Sequence, residues 1–279
     1  MTGGSSILHP AGPIAAANRA ILFNALGVML AVVIPTILLA IATAWWFRAN
    51  NRHAQRDETF VYSGRVELVV WSIPLLVILF LGGIIWVGSH KLDPTAPIET
   101  ESGAPPLQVE VVSLDWRWLF IYPEQGIATI NRLVLPVGRP VRFRLTSASV
   151  MNAFFVPRLG SMVYTMNGMA TELNLLAAEP GRYEGLSAHY SGEGFADMRF
   201  DTLAVSPAKF AEWAAQVKAL DGAPLNAKTY ALLARPQRNR KVSGFPTVQA
   251  GLFDAIVMQR VAPAPGPPQD RSSTDAEKS

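Results

Sequence analysis

Residue types that carry redox chemistry or bind metals are scarce in this chain. Its 279 residues contain no cysteine and four histidines. The lack of cysteine excludes disulfides, iron–sulfur clusters, thiolate copper sites and cysteine nucleophiles. The histidines are too far apart to share a helical turn or the short spacing of a metal site, and they are His9, His53, His90 and His189. We therefore expect no metal site built from histidines in this chain.

One carboxylate has a position that suits proton transfer. Glu67 begins an apolar run, in the stretch RVELVVWSIP. A carboxylate at the end of a membrane segment is either an interfacial charge or part of an ion path. The residue pattern by itself favours the interfacial charge.

The composition indicates a membrane protein. Half of the residues are hydrophobic and 16% are charged, which is too apolar for an ordinary soluble chain. The formal net charge is only +3, and the basic residues form no long stripe. Nothing in this pattern favours nucleic acid as a partner.

Two uncharged segments are long enough to cross a bilayer. They cover residues 20–47 and 68–89, and each exceeds the roughly 20 residues that a membrane span needs. Trp71 and Trp86 lie near the ends of the second segment, where interfacial aromatic residues are common. We predict transmembrane helices over 20–47 and 67–89. The length of the first segment argues against a cleaved signal sequence.

The distribution of arginine predicts the orientation. The loop of residues 48–66 is rich in arginine, whereas the outer flanks offer Arg19 and Lys91. Because basic residues favour cytoplasmic loops, we expect this loop to face the cytoplasm. The N-terminal segment, residues 1–19, and everything after His90 would then lie outside.

The region after the second span has the pattern of a β-domain. A proline-rich linker, residues 90–106, is followed by period-two alternation, as in Leu107, Val109 and Val111 with polar residues between them. Similar alternating runs separated by turn sequences continue to residue 205. We predict a small β-sandwich or barrel over residues 107–205.

The C-terminal region is predicted to be a helical arm with a disordered tail. Ser206 and Pro207 form a helix start, and Phe210, Trp213 and Val217 fall on one face. The arm covers residues 206–262, and its basic stretch at 235–241 is either a solvated loop, which we favour, or a contact to lipid or a partner. Residues 263–279 have the composition of a disordered tail.

The order of these parts and three long motifs resemble subunit II of the haem–copper oxidases. The motifs are LDWRWLFIYPEQGIATIN (114–131), SVMNAFFVPRLGSMVYTMNGM (149–169) and SAHYSGEGFADM (187–198). The first is similar to the version found in the cytochrome bo-type ubiquinol oxidases, and the other two are similar to the ligand-bearing loops of the family's cupredoxin domain. The resemblance implies a membrane-anchored all-β protein: a two-helix hairpin, a cupredoxin-like domain and the arm.

The resemblance also implies that this cupredoxin domain does not bind copper. In copper-carrying relatives the first loop supplies a His, and the second supplies two Cys, a Glu, a His and a Met. The matching residues here are Asn152, Ser187, Ser191, His189, Phe195 and Met198. A binuclear copper centre needs bridging thiolates, which serine hydroxyls cannot replace.

A different metal is a weaker alternative at the same loops. The Glu position, which also helps to hold magnesium in copper-carrying relatives, is His189 here, and imidazole is a poor ligand for that hard cation. A new site built from His189 with Glu193 or Asp197 is less favoured than a surface histidine. We expect no metal at this site.

Two further positions acquire roles through the resemblance. Trp116 and Trp118 match an aromatic pair that lies near the electron-accepting surface of cytochrome c oxidases. Without copper behind them, we expect packing and docking against the large subunit instead. Glu67 matches a carboxylate near the mouth of a proton-uptake channel, and this shifts its interpretation from interfacial charge to proton uptake.

The function that the resemblance implies is that of a quinol oxidase subunit in a bacterial inner membrane. The complex would oxidise ubiquinol, reduce oxygen to water and pump protons, with its haems, copper and quinol site in a large subunit I. This chain would serve assembly, cover the outer face and supply Glu67, alongside small membrane subunits and lipids. The alternative is a membrane-tethered cupredoxin-like binding module without a redox role.

Overall fold

Two compact units make up the molecule. The computed structural model describes residues 7–55, 59, 61–98, 103–238 and 241–261. One unit comprises residues 17–93, and the other combines residues 1–16 with residues 94–279. The predicted disordered tail, residues 263–279, lies outside the described residues.

The first unit contains the two predicted apolar helices, which are confirmed. Helix α1 runs from Pro13 to Trp46 and helix α2 from Gly64 to Lys91. Both are long and apolar enough to span a membrane, and their most apolar windows bury no residue within this chain. Both helices also begin before the predicted spans. Proline at the first helical position and the alanines that follow it favour the early start of α1.

The second unit is the predicted β-sandwich. Two sheets are formed by β1 (Leu107–Leu114), β2 (Arg117–Tyr122), β3 (Ile127–Ile130), β4 (Arg132–Pro136), β5 (Val141–Ser147), β6 (Asn152–Phe155), β7 (Val163–Thr165), β8 (Thr171–Leu175), β9 (Gly181–Ser187), β10 (Arg199–Val205) and β11 (Ser243–Phe245). One sheet has the order β11-β3-β2-β1-β5-β8, and the other has the order β4-β10-β9-β6-β7. Strands β1 and β5 are parallel, as are β4 and β10.

Aromatic side chains fill the space between the two sheets. Phe154 and Phe200 stack with ring centroids 5.3 Å apart, and Trp118 packs against both of them. Gly185 makes room for this cluster, since a Cβ at that position would lie 2.0 Å from the Phe200 ring. The alternating apolar residues of β1 point into the same core.

The arm packs on the β-sandwich and contains α3 (Pro207–Lys218), α4 (Ala227–Leu233) and α5 (Leu252–Val257). Phe210 and Val217 of α3 join the core between the sheets, whereas α4 and α5 cover the outer face of the six-stranded sheet. Tyr230 and Phe253 form a second core with Val112 and Leu119, which lie on the sheet. Helix α3 begins as predicted, with the Ser206 hydroxyl accepting from an amide of its first turn.

The predicted helical arm also contributes a short strand, because β11 extends the six-stranded sheet by pairing with β3. Three residues are too few to show an alternating pattern in the sequence.

The N-terminal segment belongs to the β-sandwich unit. The amide of Ala11 donates to the Arg158 carbonyl at 2.7 Å, and the Ala178 amide donates to the Ala11 carbonyl at 2.8 Å. A Cβ at Gly12 would lie 2.3 Å from the Leu176 carbonyl oxygen, so glycine permits this close approach. The sequence pattern indicates only a separate segment before the first span, since these backbone contacts leave no local signal.

Tyr122 joins the two sheets, and its loss should destabilise the fold. Its hydroxyl accepts from the Val134 amide at 2.8 Å and donates to the Val134 carbonyl at 3.1 Å, at the edge strand β4. We expect Tyr122→Phe to cost about 1–3 kcal/mol, because both peptide groups lose their buried partner. Thermal unfolding of the purified chain in detergent measures the loss.

Tyr230→Phe is the matched control. The Tyr230 hydroxyl is also buried but has no hydrogen-bond partner among the described residues. Removing it should therefore cost less than removing the hydroxyl of Tyr122. Equal losses for the two variants would contradict this account.

Candidate functional site

Three loops meet at one end of the sandwich, which we call the loop end. They are the hairpin turn at residues 115–116, the segment 147–152 before β6, and the segment 187–198 between β9 and β10. The six positions that match copper ligands all lie on the second and third of these segments: Asn152, Ser187, His189, Ser191, Phe195 and Met198.

A buried hydrogen-bond network occupies the inner part of the loop end. The Ser187 hydroxyl donates to the side-chain oxygen of Asn152 at 3.3 Å, and the Asn152 amide donates to the Ser113 hydroxyl at 3.4 Å. Ser113 is in turn 2.8 Å from the hydroxyl of Thr165. All four residues are at most 3% exposed. Their side chains therefore satisfy one another away from water, as buried polar groups must.

The remaining matched positions pair in a different way. The Ser191 hydroxyl lies 3.9 Å from the sulfur of the buried Met198. The His189 ring packs edge-on against Tyr164 at 5.8 Å between centroids, and Phe195 packs against Tyr190 at 5.7 Å. None of these contacts orients an imidazole toward the Asn152–Ser187 network.

The residues of the loop end do not fit a copper pair. The hydroxyls of Ser187 and Ser191 stand where two thiolates would be needed, and the amide of Asn152 stands where an imidazole would be. Asn152 and Ser187 are, moreover, hydrogen-bonded to each other. Within the described parts of the chain, no group of three or more His, Asp or Glu side chains could hold a metal ion. Glu193, the possible partner of His189, instead pairs with Arg238 at 2.5 Å.

Trp116 holds the hairpin turn against the third loop. Its backbone has φ of +68°, a conformation that a bulky residue rarely adopts. Its indole Nε1 donates to the Ser191 carbonyl at 3.0 Å. A Cβ at Gly194 would lie 2.2 Å from the indole ring, so only glycine lets the ring lie flat on this loop. The strained backbone persists because these contacts fix the side chain.

The arm completes this arrangement through Arg238. Its guanidinium lies over the Trp116 ring at 5.7 Å from the centroid and pairs with Glu193 of the third loop. The neighbouring Gln237 amide donates to the Asp115 carbonyl at 3.4 Å. We call the set Trp116, Ser191, Glu193, Gly194 and Arg238 the tryptophan lock.

Sequence reasoning missed the lock, although two of its signals were visible. The basic stretch 235–241 is predicted to be a solvated loop, and the structure describes residues 235–238 and 241 of it. Within it, Arg238 contacts both Trp116 and Glu193. The glycines of SGEG (191–194) by themselves indicate only a turn. Trp118 is fully buried in the aromatic core, whereas Trp116 is half-buried at the hairpin turn. Packing and docking of these two residues against a large subunit stays a prediction.

Burial raises the pKa of two carboxylates next to the arm. Burial raises the pKa of Glu110 to about 7, although the nearby Arg144 guanidinium lowers it. Arg144 also pairs with Asp254 of α5 at 2.8 Å and so connects the sheet to the arm. Burial likewise raises the pKa of Asp115, against the lowering effect of the Ser149 hydroxyl that donates to it.

Glu67 lies in the other unit, in the first turn of α2. Its side chain is exposed, and its amide donates to the Ser63 carbonyl at 3.0 Å. The positive end of the helix dipole favours a carboxylate at this position. The helix begins three residues before the predicted span, so Glu67 is held by regular helical structure.

Comparisons with known proteins identify the family. The periplasmic domain of cytochrome c oxidase subunit II matches residues 109–212, and the COX aromatic rich motif matches residues 221–264. The ubiquinol oxidase subunit 2 of Acetobacter aceti is 49% identical over 251 residues, which are 90% of this chain and 81% of that protein. The chain belongs to the ubiquinol oxidase subunit 2 family.

Other members of the family support the assignment. The cytochrome bo(3) ubiquinol oxidase subunit 2 of Pseudomonas aeruginosa is 45% identical over 90% of this chain and 75% of its own length. The quinol oxidase subunit 2 of Bacillus cereus is 33% identical over 76% of this chain and 73% of its own. The predicted resemblance is confirmed, and this subunit 2 is a membrane protein that assembles with other oxidase subunits.

The tryptophan lock predicts a specific effect at Gly194. We expect Gly194→Ala to push the Trp116 ring off the loop and to cost about 1–3 kcal/mol, the usual cost of overpacking. Gly222→Ala is the control, because a Cβ there would only make an ordinary contact at 3.5 Å. Thermal unfolding and the tryptophan emission spectrum measure both variants. A similar response from both would contradict the lock.

Proposed function

We propose that this chain is the copper-free subunit II of a proton-pumping ubiquinol oxidase in aerobic respiration. The complex oxidises ubiquinol and reduces oxygen to water, with the haems, the copper and the quinol site in a large subunit I. The single observation that carries the proposal is 49% identity to a ubiquinol oxidase subunit 2. The buried network of Asn152 and Ser187 supports it, since this chain then provides no copper relay.

The proposed location is a bacterial inner membrane, with the loop between α1 and α2 in the cytoplasm. The arginines of this loop favour that orientation. The hydrogen bonds of Ala11 to Arg158 and Ala178 support it further, because they hold the N-terminal segment on the β-sandwich unit. Both ends of the two-span hairpin then lie on the outer side of the membrane.

The loop end is the proposed docking surface that covers subunit I. Tyr190 is 72% exposed, and Tyr164, Val150 and Met151 are exposed beside the third loop and β6. Exposed apolar and aromatic side chains in one region are typical of protein interfaces. The tryptophan lock shapes this surface before a partner arrives, so docking would order few additional residues. Small membrane subunits and lipids would contact the two helices.

Recovery from membranes separates this proposal from a free binding module. A tagged chain extracted in mild detergent should bring down a haem-bearing subunit, seen as a haem absorption spectrum in the purified fraction. A stable chain recovered without haem would favour the membrane-tethered module, because such a module needs no oxidase partner.

Glu67 is the proposed proton-uptake residue at the cytoplasmic end of α2. A carboxylate can accept a proton from water and pass it on, and its exposed position leaves it free for a partner subunit to cover. We expect Glu67→Gln to slow oxygen reduction by up to about 100-fold, the lower range for a positioned proton-transfer group.

Glu67→Asp keeps the carboxylate and should retain most of the activity. The haem content of both variants checks that the complex still assembles. Unchanged oxygen reduction and proton uptake in the Glu67→Gln complex would refute this role.

A further inference from the structure

An apolar groove separates α1 and α2 toward the end of α2. Its volume is about 660 Å³, and its lining includes Ala20, Ile21, Gly83, Ile84, Val87 and Lys91. Except for Lys91, these side chains are aliphatic or absent. The groove opens on the surface of two helices that have the length and composition of membrane spans.

Two glycines of α2 explain why the groove exists. At Gly88 a Cβ would lie 2.7 Å from the Cδ1 atom of Ile21, so the two helices touch there. At Gly83 a Cβ would have no atom within 4 Å, so the space between the helices is open. The helices are thus in contact near one end of the groove, and the groove stays open beside Gly83.

The length of the groove matches the thickness of one bilayer leaflet, and its charged end suits a lipid headgroup. Its lining on α2 extends from Leu79 to Lys91, about 18 Å along the helix axis at 1.5 Å per residue. One leaflet contributes roughly 15 Å of hydrocarbon, half the thickness of the bilayer core. Lys91 is exposed at the last turn of α2, and a lysine at the end of a membrane span extends its ammonium toward the headgroups.

We propose that the groove holds an acyl chain of one phospholipid, whose phosphate is bound by Lys91. The aliphatic lining accepts the hydrocarbon chain, and the ammonium provides the charge that a phosphate needs. The isoprenoid tail of a quinol would fit the lining equally well, but its neutral ring would leave Lys91 without a charged partner. A helix of another subunit would use this ammonium only if it placed a carboxylate or its own C-terminal carbonyls beside Lys91.

The test counts the phospholipids retained by the complex that this chain forms. The tagged chain is purified from membranes in mild detergent, and native mass spectrometry with lipid extraction gives the phospholipid and quinone content. Gly83→Leu fills the groove with a side chain, and Lys91→Gln removes the positive charge at its end. Each should lower the retained phospholipid by one molecule per complex.

Two matched variants serve as controls. Gly82→Leu adds the same side chain at a neighbouring glycine that also has open space but does not line the groove. Lys91→Arg keeps the positive charge. Both should retain the phospholipid. If Gly83→Leu prevents insertion, the comparison of Lys91→Gln with Lys91→Arg decides alone.

Three outcomes would overturn the proposal. Phospholipid retention could be the same in all four variants, which would mean that no specific lipid is bound. Gly83→Leu could reduce the quinone instead, which would assign the groove to an isoprenoid tail. It could instead release a small subunit while the phospholipid stays, which would make the groove a helix-docking surface.

Discussion

Buried polar groups at the loop end must find hydrogen-bond partners inside the chain, and the shape of the loops depends on this requirement. Asn152 begins β6 and Ser187 ends β9, whereas Ser113 and Thr165 lie in strands β1 and β7. Their mutual hydrogen bonds satisfy side chains that water cannot reach. Leaving one of them unpaired would cost about 1–3 kcal/mol. The network therefore connects the two sheets at this end.

The outer part of the loop end is held by a different kind of contact. Trp116 keeps a strained backbone conformation because its ring packs on Gly194 and its indole nitrogen donates to the Ser191 carbonyl. Arg238 adds a contact from the arm, and its pair with Glu193 ties the arm to the loop. The arm is thus part of the site as well as a cover for the sheet. Because the arm covers the sheet, β1 is buried on both faces near its end.

The sequence predicts the architecture well where a pattern is long. The two apolar runs indicate the helices, and alternation at Leu107, Val109 and Val111 indicates a half-buried strand. Short or non-local features were not predictable. Strand β11 has only three residues. The position of the N-terminal segment depends on the close approach of Gly12 to the backbone at Leu176.

The site was predictable only in part. The six matched positions came from resemblance, but Ser113 and Thr165 resemble ordinary strand residues, and their role depends on register between distant strands. The positive φ of Trp116 and the contact of Arg238 with its ring likewise result from tertiary packing. Trp116 and Trp118 looked equivalent in the sequence. They differ because the hairpin turn places one at the surface and the other in the core.

We propose that this chain serves an oxidase that receives its electrons from quinol rather than from a soluble cytochrome. The most direct measurement is oxygen uptake by the purified complex with two electron donors, ubiquinol and reduced cytochrome c. A subunit without thiolates has no copper pair to receive electrons from cytochrome c. We expect oxygen uptake with ubiquinol and none with cytochrome c. Uptake with cytochrome c alone would contradict this proposal.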